Sequence, residues 1–282
     1  MDLGIGLPTT HADVDGPTVL AWARAAEAAG FSTLGTIDRL VYGNWEPLVS
    51  LAAAAAVTER IRLTTSILLA PLRTNAALLA KETATLDRLS GGRLVLGLAV
   101  GGRADDFEAS GVDLRRRGRL FDDLLDTLHA VWSGERGIGP HPARSGGPEL
   151  VIGGTSDAPI RRVVTHRAGW ISGGGGVHAF STGAARVLEA WNAAGNEGRP
   201  VLRALAYYAL GSDARAAADA YLQHYYGFLG PVAEQIASGA LVGDEQVRDA
   251  VNDFAAAGCD ELILFPCATG LDQVGLLAAA RP

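Results

Sequence analysis

The sequence contains only two cysteines, Cys259 and Cys267, and they form neither a CxxC pair nor a cluster with histidines. Disulfide frameworks and structural zinc sites both require paired or clustered cysteines. The six histidines are also dispersed, and no HExxH motif is present. The sequence therefore argues against a disulfide scaffold and predicts no metal site.

Long apolar segments and blocks of positive charge are also missing. No apolar run reaches the roughly 18 uncharged residues that a membrane-spanning helix needs. Residues 1–10 lack the charged start and the long apolar stretch of a signal peptide. The net charge is −7, and residues 115–117 form the only tight cationic run. We therefore expect a cytoplasmic protein that binds neither membranes nor nucleic acid.

Apolar segments with strand character alternate regularly with amphipathic, helix-like segments. The predicted strands are 3–7, 32–37, 61–70, 93–100, 149–154, 169–176, 201–211 and 260–266. The predicted helices are 17–29, 46–59, 75–89, 118–132, 156–168, 181–195 with Ser181 as its cap, 213–238, 244–258 and 271–280. Strands that alternate with helices run parallel. Eight such units in 282 residues predict an α/β fold, a single-domain (β/α)8 TIM barrel over residues 1–282.

The main alternative is an open, doubly wound parallel sheet. That fold would have a glycine-rich GxGxxG turn after its first strand. Here the turn reads GIGLPTTH, which lacks the motif and contains a proline. The stretch 134–148 is rich in glycine and proline, but the alternation resumes beyond it, so we interpret it as a loop. The closed barrel is therefore the favoured fold.

Glycines concentrate where the predicted strands end, which is the active face of a parallel barrel. They include Gly101 and Gly102, Gly153 and Gly154, and the run 173–176. Because glycine has no Cβ, such loops let a ligand lie against the backbone. Thr155 also stands at the start of a predicted helix, where free amides favour an anion. These loops form a candidate phosphate cradle, although helix capping and tight turns explain the same residues without a ligand.

Catalytic acids and bases are few on this face. No close carboxylate pair, GxSxG motif or Cys/His arrangement is present. Asp38 follows the second strand as a polar anchor, a helix cap or an ion-pair partner. His11 and His178 also lie there, although a surface loop is the commoner setting for such histidines. Tyr207 and Tyr208 are adjacent on a strand, so only one can point into the barrel. A site this poor in catalytic side chains suggests that a cofactor carries the chemistry.

Residues 69–134 carry the most specific pattern of the chain. They read LAPLRTNAALLAKETATLDRLSGGRLVLGLAVGG, then FEASG at 107–111 and RGRLFDDLLDTLHAVWSG at 117–134. This pattern resembles the luciferase-like flavin monooxygenase family, and AGFSTLGTIDRL and LVIGGTSDAPIRRVV fit the same family. The resemblance covers most of the chain and agrees with the barrel predicted from periodicity.

The resemblance implies a flavin, usually FMN, or the deazaflavin coenzyme F420, with its ring across the barrel mouth. It implies ring contacts at Thr65, Ser66, Ile67, Ala99, Gly101 and Gly102, and a non-prolyl cis peptide at Ser66-Ile67. It further implies that the phosphate is held by Gly153, Gly154, Thr155, Gly174, Gly175 and Gly176.

Three departures from the family pattern bear on the chemistry. Where relatives have an acid followed by histidine after the second strand, this chain has Asp38-Arg39, so the usual acid/base histidine is absent. On the fourth-strand loop, Val100 stands where some relatives have a phosphate-binding arginine, with Arg103 as a nearby substitute. The same loop reads GGRADDF and lacks the tryptophan that relatives often carry.

We therefore expect a flavin-dependent oxidoreductase, foremost an FMN-dependent monooxygenase acting on a small organic substrate with oxygen. A separate reductase would supply the reduced flavin, and Asp38 and Arg39 would orient the substrate or the ring edge. The alternatives are a deazaflavin-dependent reductase or dehydrogenase and, since the histidine is missing, a flavin-binding barrel without turnover. The resemblance also implies a homodimer, with the alanine-rich helix 46–59 as a candidate surface, although packing of that helix on the barrel explains most of its residues.

Overall fold

Eight parallel strands close into a barrel in the computed structural model, which describes all 282 residues. The sheet order is β3-β2-β1-β9-β8-β7-β6-β5-β4, and pairing of β3 with β5 closes the ring. The strands are β1 (Asp2–Gly6), β2 (Thr33–Thr36), β3 (Arg62–Thr65), β4 (Leu68–Leu69), β5 (Leu94–Ala99), β6 (Glu149–Gly153), β7 (Gly169–Ser172), β8 (Leu202–Tyr208) and β9 (Glu261–Pro266). The two-residue β4 is an offset continuation of β3, so the predicted (β/α)8 barrel is confirmed.

Helices cover the outside of the barrel. They are α1 (Gly16–Ala28), α2 (Pro47–Ala55), α3 (Ala76–Leu89), α4 (Ala104–Ser110), α5 (Arg117–Trp132), α6 (Asp157–Thr165), α7 (Gly176–Ala193), α8 (Ala214–Tyr226), α9 (Pro231–Ser238), α10 (Asp244–Ala256) and α11 (Asp272–Ala279). Side-chain caps fix several starts: Asp15 accepts a hydrogen bond from the Thr18 amide at 2.9 Å, and Asn75 accepts one from the Leu78 amide at 3.0 Å. None of the helices combines the length and apolar character that crossing a membrane requires.

The structure corrects four of the predicted elements. The strand predicted over 61–70 is interrupted after Thr65, and the helix predicted over 213–238 is broken by a 3-10 turn at 227–229. The glycine run 173–176 lies outside β7, which ends at Ser172. Helix α7 begins at Gly176, so Ser181 lies inside it and donates to the Val177 carbonyl at 2.9 Å instead of capping the helix.

Strand side chains alternate between the barrel interior and the layer under the helices, as period two requires. On β9, Ile263 and Phe265 belong to the inner cluster, whereas Leu262 and Leu264 belong to the outer one. The Phe265 ring fills space that glycines leave: a Cβ at Gly6 would lie 2.3 Å from its Cδ1. The barrel centre is thus a packed core, and a cavity is confined to one end.

A buried ionic network fills the amino-terminal end of the barrel. Arg203 Nε donates to Glu261 Oε2 at 2.8 Å, and Arg203 Nη1 lies 2.7 Å from Glu149 Oε1. Glu261 Oε1 also accepts from Arg62 Nη2 at 3.0 Å and from the Thr33 hydroxyl at 2.5 Å. Each carboxylate oxygen of Glu261 therefore has a donor, which offsets the cost of burying its charge.

The network sets the pKa of Glu261. Burial opposes ionisation, but the charges of Arg62 and Arg203 and the hydroxyl donors Ser32 and Thr33 outweigh it, so the pKa lies below its usual value. A carboxyl group whose pKa is lower in the folded than in the unfolded state stabilises the fold above its unfolded pKa. That contribution is lost as the pH falls below the ordinary value of 4.5.

The outer face of α2 and α3 carries exposed apolar side chains, namely Val49, Leu78 and Leu89. Val49 belongs to the helix that the sequence offered as a dimer surface. The homodimer itself stays a prediction.

Replacing Glu261 tests the ionic network. Glu261→Gln removes the buried carboxylate that pairs with Arg203 Nε and leaves that guanidinium only the half-buried Glu149, so we expect a loss of about 3–5 kcal/mol in the free energy of unfolding at pH 7. Chemical denaturation should also show a shallower dependence of stability on pH below 4.5 than in the wild type.

The control is Asp123→Asn, which breaks the exposed Arg119–Asp123 pair on α5. Exposed pairs contribute little, so this variant should unfold like the wild type. An equal loss in the two variants, or none in Glu261→Gln, would contradict the assigned role of the network.

Candidate active site

A cavity of about 460 Å³ opens at the carboxyl-terminal end of the barrel, within the range of roughly 300–1,000 Å³ typical of small-molecule sites. Loops after β2, β3, β5, β6 and β7 contribute to its wall, together with β8, the end of α8 and the 3-10 turn that follows it. Its lining residues are Ile37, Asp38, Arg39, Ser66, Ile67, Leu69, Ala99, Val100, Gly101, Arg103, Gly153, Gly154, Thr155, Ile171, Gly173, Leu205, Tyr207, Tyr225, Tyr226 and Phe228.

The segment after β3 forms one wall of the cavity. The Ser66-Ile67 peptide is cis, as the family resemblance implied. The Ile67 side chain packs into space left by two glycines: a Cβ at Gly153 would lie 2.3 Å from Ile67 Cδ1, and one at Gly97 would lie 2.9 Å from Ile67 Cγ2. Thr65 is buried beside them, where its hydroxyl donates to the Gly97 carbonyl at 2.7 Å. Ser66 and Ile67 line the cavity, whereas Thr65 supports the wall from behind.

Asp38 lines the cavity and is already engaged on one side. Its Oδ2 accepts from the Leu69 amide at 2.9 Å and from Arg73 Nη2 at 3.0 Å. Arg73 also pairs with Glu46 at 3.1 Å, so the chain linking Asp38, Arg73 and Glu46 joins the cavity to the start of α2. These contacts fix Asp38 as an anchor for the wall after β3.

Arg39 is buried and held mainly by Asp106 of α4. Its Nε donates to Asp106 Oδ2 at 2.7 Å, and Asp106 Oδ1 accepts from the Val41 amide at 2.7 Å. The Nη1 atom of Arg39 has no hydrogen-bond partner, and the same is true of the buried Ser66 hydroxyl. Because buried polar groups are normally paired, these two cavity-lining groups point to a ligand with complementary polar atoms.

A second arginine stands at the cavity rim. Arg103 forms an ion pair with Asp105 and stacks over the Phe228 ring, with its Cζ 3.8 Å from the ring centroid. The hydrogen bond from Arg103 lowers the pKa of Asp105 to about 2. Both side chains of this pair therefore remain charged at neutral pH.

Tyrosines form the wall contributed by β8 and α8. Tyr207 points into the cavity, where its hydroxyl lies 2.6 Å from that of Tyr226, whereas Tyr208 packs in the outer layer. Burial raises the pKa of Tyr207 and of Tyr226 above the ordinary value, so both phenols stay neutral. The Tyr225 ring is tilted edge-on to Tyr226, with centroids 4.9 Å apart. The wall is thus apolar and uncharged.

The loops after β6 and β7 lead to the amino termini of α6 and α7. Gly153, Gly154, Thr155 and Gly173 line the cavity, whereas Gly102, Gly174, Gly175 and Gly176 lie outside its lining. Gly175 and Gly176 adopt positive φ angles of 105° and 71°, and α7 begins at this turn. First-turn amides of a helix lack intrahelical partners, so these two helix starts supply donors for an anion.

Arg186 of α7 crosses this region. It donates to the Thr155 carbonyl and pairs with Asp157, the first residue of α6, at 2.5 Å. The sequence offered no signal for it, because Arg186 lies 31 residues from Thr155 along the chain.

The two histidines singled out in the sequence do not line the cavity. His11 stacks on Tyr221 with ring centroids 4.5 Å apart and lies at a separate polar cavity of about 590 Å³ on the same face. His178 is exposed near the start of α7.

Sequence reasoning missed Asp105 and Asp106 because α4 is short and acidic and shows no apolar stripe. It also missed Tyr225, Tyr226 and Phe228. The predicted helix 213–238 contains all three, whereas in the structure α8 ends at Tyr226 and the 3-10 turn at 227–229 carries Phe228 to the cavity.

Comparison with known sequences identifies the family. The model of the luciferase-like monooxygenase family matches residues 1–261. An uncharacterised protein of Mycobacterium tuberculosis is 32% identical over 173 residues, which cover 57% of this chain and 61% of that protein. The chain thus matches about three fifths of the length of that curated relative. The F420-dependent glucose-6-phosphate dehydrogenase of Beutenbergia cavernae is 35% identical over 126 residues, 42% of this chain and 38% of that protein.

Solved structures share the fold at low sequence identity. An F420-dependent secondary alcohol dehydrogenase in complex with an F420-acetone adduct aligns with a TM-score of 0.81 at 15% identity, covering 99% of this chain and 97% of that one. The oxygenating constituent of 3,6-diketocamphane monooxygenase from Pseudomonas putida, in complex with FMN, aligns with a TM-score of 0.75 at 16% identity, covering 99% and 96%. The barrel and the family match over residues 1–261 together establish that this chain belongs to the luciferase-like monooxygenase family.

Proposed function

We propose that the chain is an FMN-dependent monooxygenase whose coenzyme binds in the cavity at the barrel mouth. The observation that carries the proposal is that the cavity is apolar at one end and bounded by the starts of two helices at the other. Apolar walls at Ile37, Ile67 and Ile171 continue into the loops that begin α6 and α7. A coenzyme with a flat apolar ring and a phosphate tail matches this arrangement, with the ring against the apolar walls and the phosphate at the helix starts.

The residues present fit such a coenzyme. The Ser66 hydroxyl is buried in the cavity wall without a partner, and the edge of a flavin ring carries carbonyl and nitrogen groups that would satisfy it. At the other end, Gly173, Gly174 and Gly176 have no neighbouring atom within 4 Å of an added Cβ. That open backbone leaves room for a phosphate near the helix amides.

Bound in reduced form, the coenzyme would supply oxygen activation for transfer to an organic substrate. The chain would contribute binding, orientation and exclusion of water rather than a catalytic base. Asp38 is engaged with Leu69 and Arg73, Arg39 with Asp106, and Tyr207 with Tyr226. No nicotinamide-binding turn follows β1, so a separate reductase would deliver the reduced flavin.

Hydride transfer with F420 is the second candidate function. It is favoured by the 35% identity to the F420-dependent glucose-6-phosphate dehydrogenase. The exposed Thr155, Ser156 and Gly174 leave the phosphate end open to solvent, so a coenzyme with a longer tail would also fit there. A barrel that holds a flavin without turnover is the remaining alternative.

Coenzyme titration and oxygen uptake separate these functions. We expect FMN to bind, with a change in its fluorescence, and the bound reduced form to consume oxygen faster than free reduced FMN. Binding of F420 alone, without faster oxygen uptake, would replace the proposal with hydride transfer. Binding of FMN without any change in reactivity would support a non-catalytic barrel.

Substitution at Gly153 tests the ring end of the cavity. Gly153→Ala introduces a Cβ against Ile67 Cδ1 and should push the isoleucine into the cavity. We expect FMN and riboflavin to bind about tenfold more weakly, because both carry the ring. The double variant Gly153→Ala/Ile67→Val removes the clashing Cδ1 and should restore affinity. Unchanged affinity in the single variant would argue against a ring at this wall.

Substitution at Asp157 tests the phosphate end. Asp157→Asn removes a negative charge from the start of α6 and frees Arg186. We expect FMN to bind several-fold more tightly at low salt, with the gain shrinking as salt rises, because the pair is exposed. Arg186→Gln should weaken FMN binding.

Riboflavin, which lacks the phosphate, is the matched control ligand. Neither substitution should change its affinity. Equal shifts for FMN and riboflavin would show that the two side chains act on the ring or on folding rather than on the phosphate.

A further inference from the structure

We propose that the part of the cavity bounded by Arg39, Arg103, Tyr225, Tyr226 and Phe228 binds the substrate. It would select a neutral compound with a flat apolar body and one oxygen that accepts a hydrogen bond from Arg39 Nη1. This inference rests on the proposed function, since it assigns the space beside the coenzyme.

The hydrogen-bond donor for this subsite is fixed before any ligand enters. Arg39 Nε and Nη2 are held by Asp106 and by the Val41 carbonyl, at 2.7 Å and 3.1 Å. These contacts leave Nη1, which is buried and has no partner. A guanidinium carries only hydrogen-bond donors, so Nη1 can donate to a ligand oxygen but cannot accept a hydrogen bond.

The charges around the subsite balance. Arg39 and Arg103 carry two positive charges, and their partners Asp106 and Asp105 carry two negative ones. A carboxylate substrate would gain one hydrogen bond but would meet no net positive charge, while it would lose its hydration on entering an apolar cavity. A carbonyl or hydroxyl group accepts the same hydrogen bond at a much smaller desolvation cost.

The walls of the subsite are aromatic. The Arg39 guanidinium lies 5.8 Å from the Tyr225 ring centroid, and the Tyr226 and Phe228 centroids are 6.5 Å apart with an interplanar angle of 30°. Such rings bind flat apolar groups by stacking and by burying apolar area. None of these side chains comes from the loops that begin α6 and α7, so the subsite draws on different elements from the phosphate end.

Three probes of similar shape test the preference. Acetophenone has a flat ring with a neutral carbonyl, ethylbenzene lacks the oxygen, and benzoate carries a charge. We expect isothermal titration of the FMN-loaded protein at pH 7 to show the highest affinity for acetophenone, a lower one for ethylbenzene and the lowest for benzoate. Tightest binding by benzoate, or equal binding of acetophenone and ethylbenzene, would overturn the inference.

The variant R39K tests the donor. Lysine keeps the positive charge beside Asp106 but lacks the planar guanidinium whose separate N–H groups can donate both to Asp106 and to a ligand in the cavity. We expect it to weaken acetophenone binding at least about tenfold, the loss typical of a hydrogen bond to a charged group, while ethylbenzene affinity stays unchanged. A general disturbance of the fold would weaken both probes equally and would count against the assigned role.

The variant F228A tests the aromatic wall without touching the buried ion pair. Phe228 is about half exposed, so its removal should leave the fold intact. We expect the affinities for acetophenone and ethylbenzene to fall together. Unchanged affinities would contradict the proposed subsite. R119Q on the outer face of α5 is the matched surface control and should bind all three probes like the wild type.

The coenzyme-free protein is titrated with the same probes, which keeps the two claims separable. Failure of FMN to bind would remove the proposed function. If the protein binds FMN but the three probes do not show the expected order of affinities, only the substrate assignment would be contradicted. Without FMN, a preserved probe order and a preserved R39K effect would still support the subsite, and their absence would contradict it.

Discussion

Closure of eight parallel strands through the pairing of β3 with β5 is the constraint on which the rest of the structure depends. Because every strand runs in the same direction, the loop after each strand emerges at the same end of the barrel. Closure therefore brings together residues as distant in sequence as Asp38, Thr155 and Phe228. Without the β3–β5 contact the same strands would form an open sheet, and the loops after β2 and β6 would not face a common cavity.

The way the barrel interior is filled decides that only one end is open. Charged side chains centred on Arg203 and Glu261 occupy the amino-terminal end, and Phe265 fills the middle over Gly6. Nearer the mouth, Ile67 packs against Gly97 and Gly153 and shapes one wall. Because these glycines have no Cβ, neighbouring side chains occupy the space beside them. The cavity is what remains when the larger residues of neighbouring strands have taken that space.

The sequence predicts the fold better than it predicts the site, for a physical reason. Strand and helix patterns depend on neighbouring residues, so the alternation that identifies the barrel can be recognised in the sequence. The glycine loops after β6 and β7 can be recognised in the same way. The partner of Arg39 is not legible, because Asp106 lies 67 residues away on a short helix without an apolar stripe. The 3-10 turn that brings Phe228 to the mouth is likewise hidden inside an apparently continuous helical pattern. The departure from the family pattern at Asp38-Arg39 was visible, but its consequence, an arginine with one nitrogen left unpaired, required the packed structure.

A crystal structure of the protein with bound FMN, and another with F420, would test the central claim most directly. The account predicts the tricyclic ring at the carboxyl-terminal mouth, in contact with Ser66 and Ile67, and the phosphate at the amides that begin α6 and α7. A ring bound at the amino-terminal end near Glu261, or a mouth closed by side chains with the coenzyme elsewhere, would contradict it.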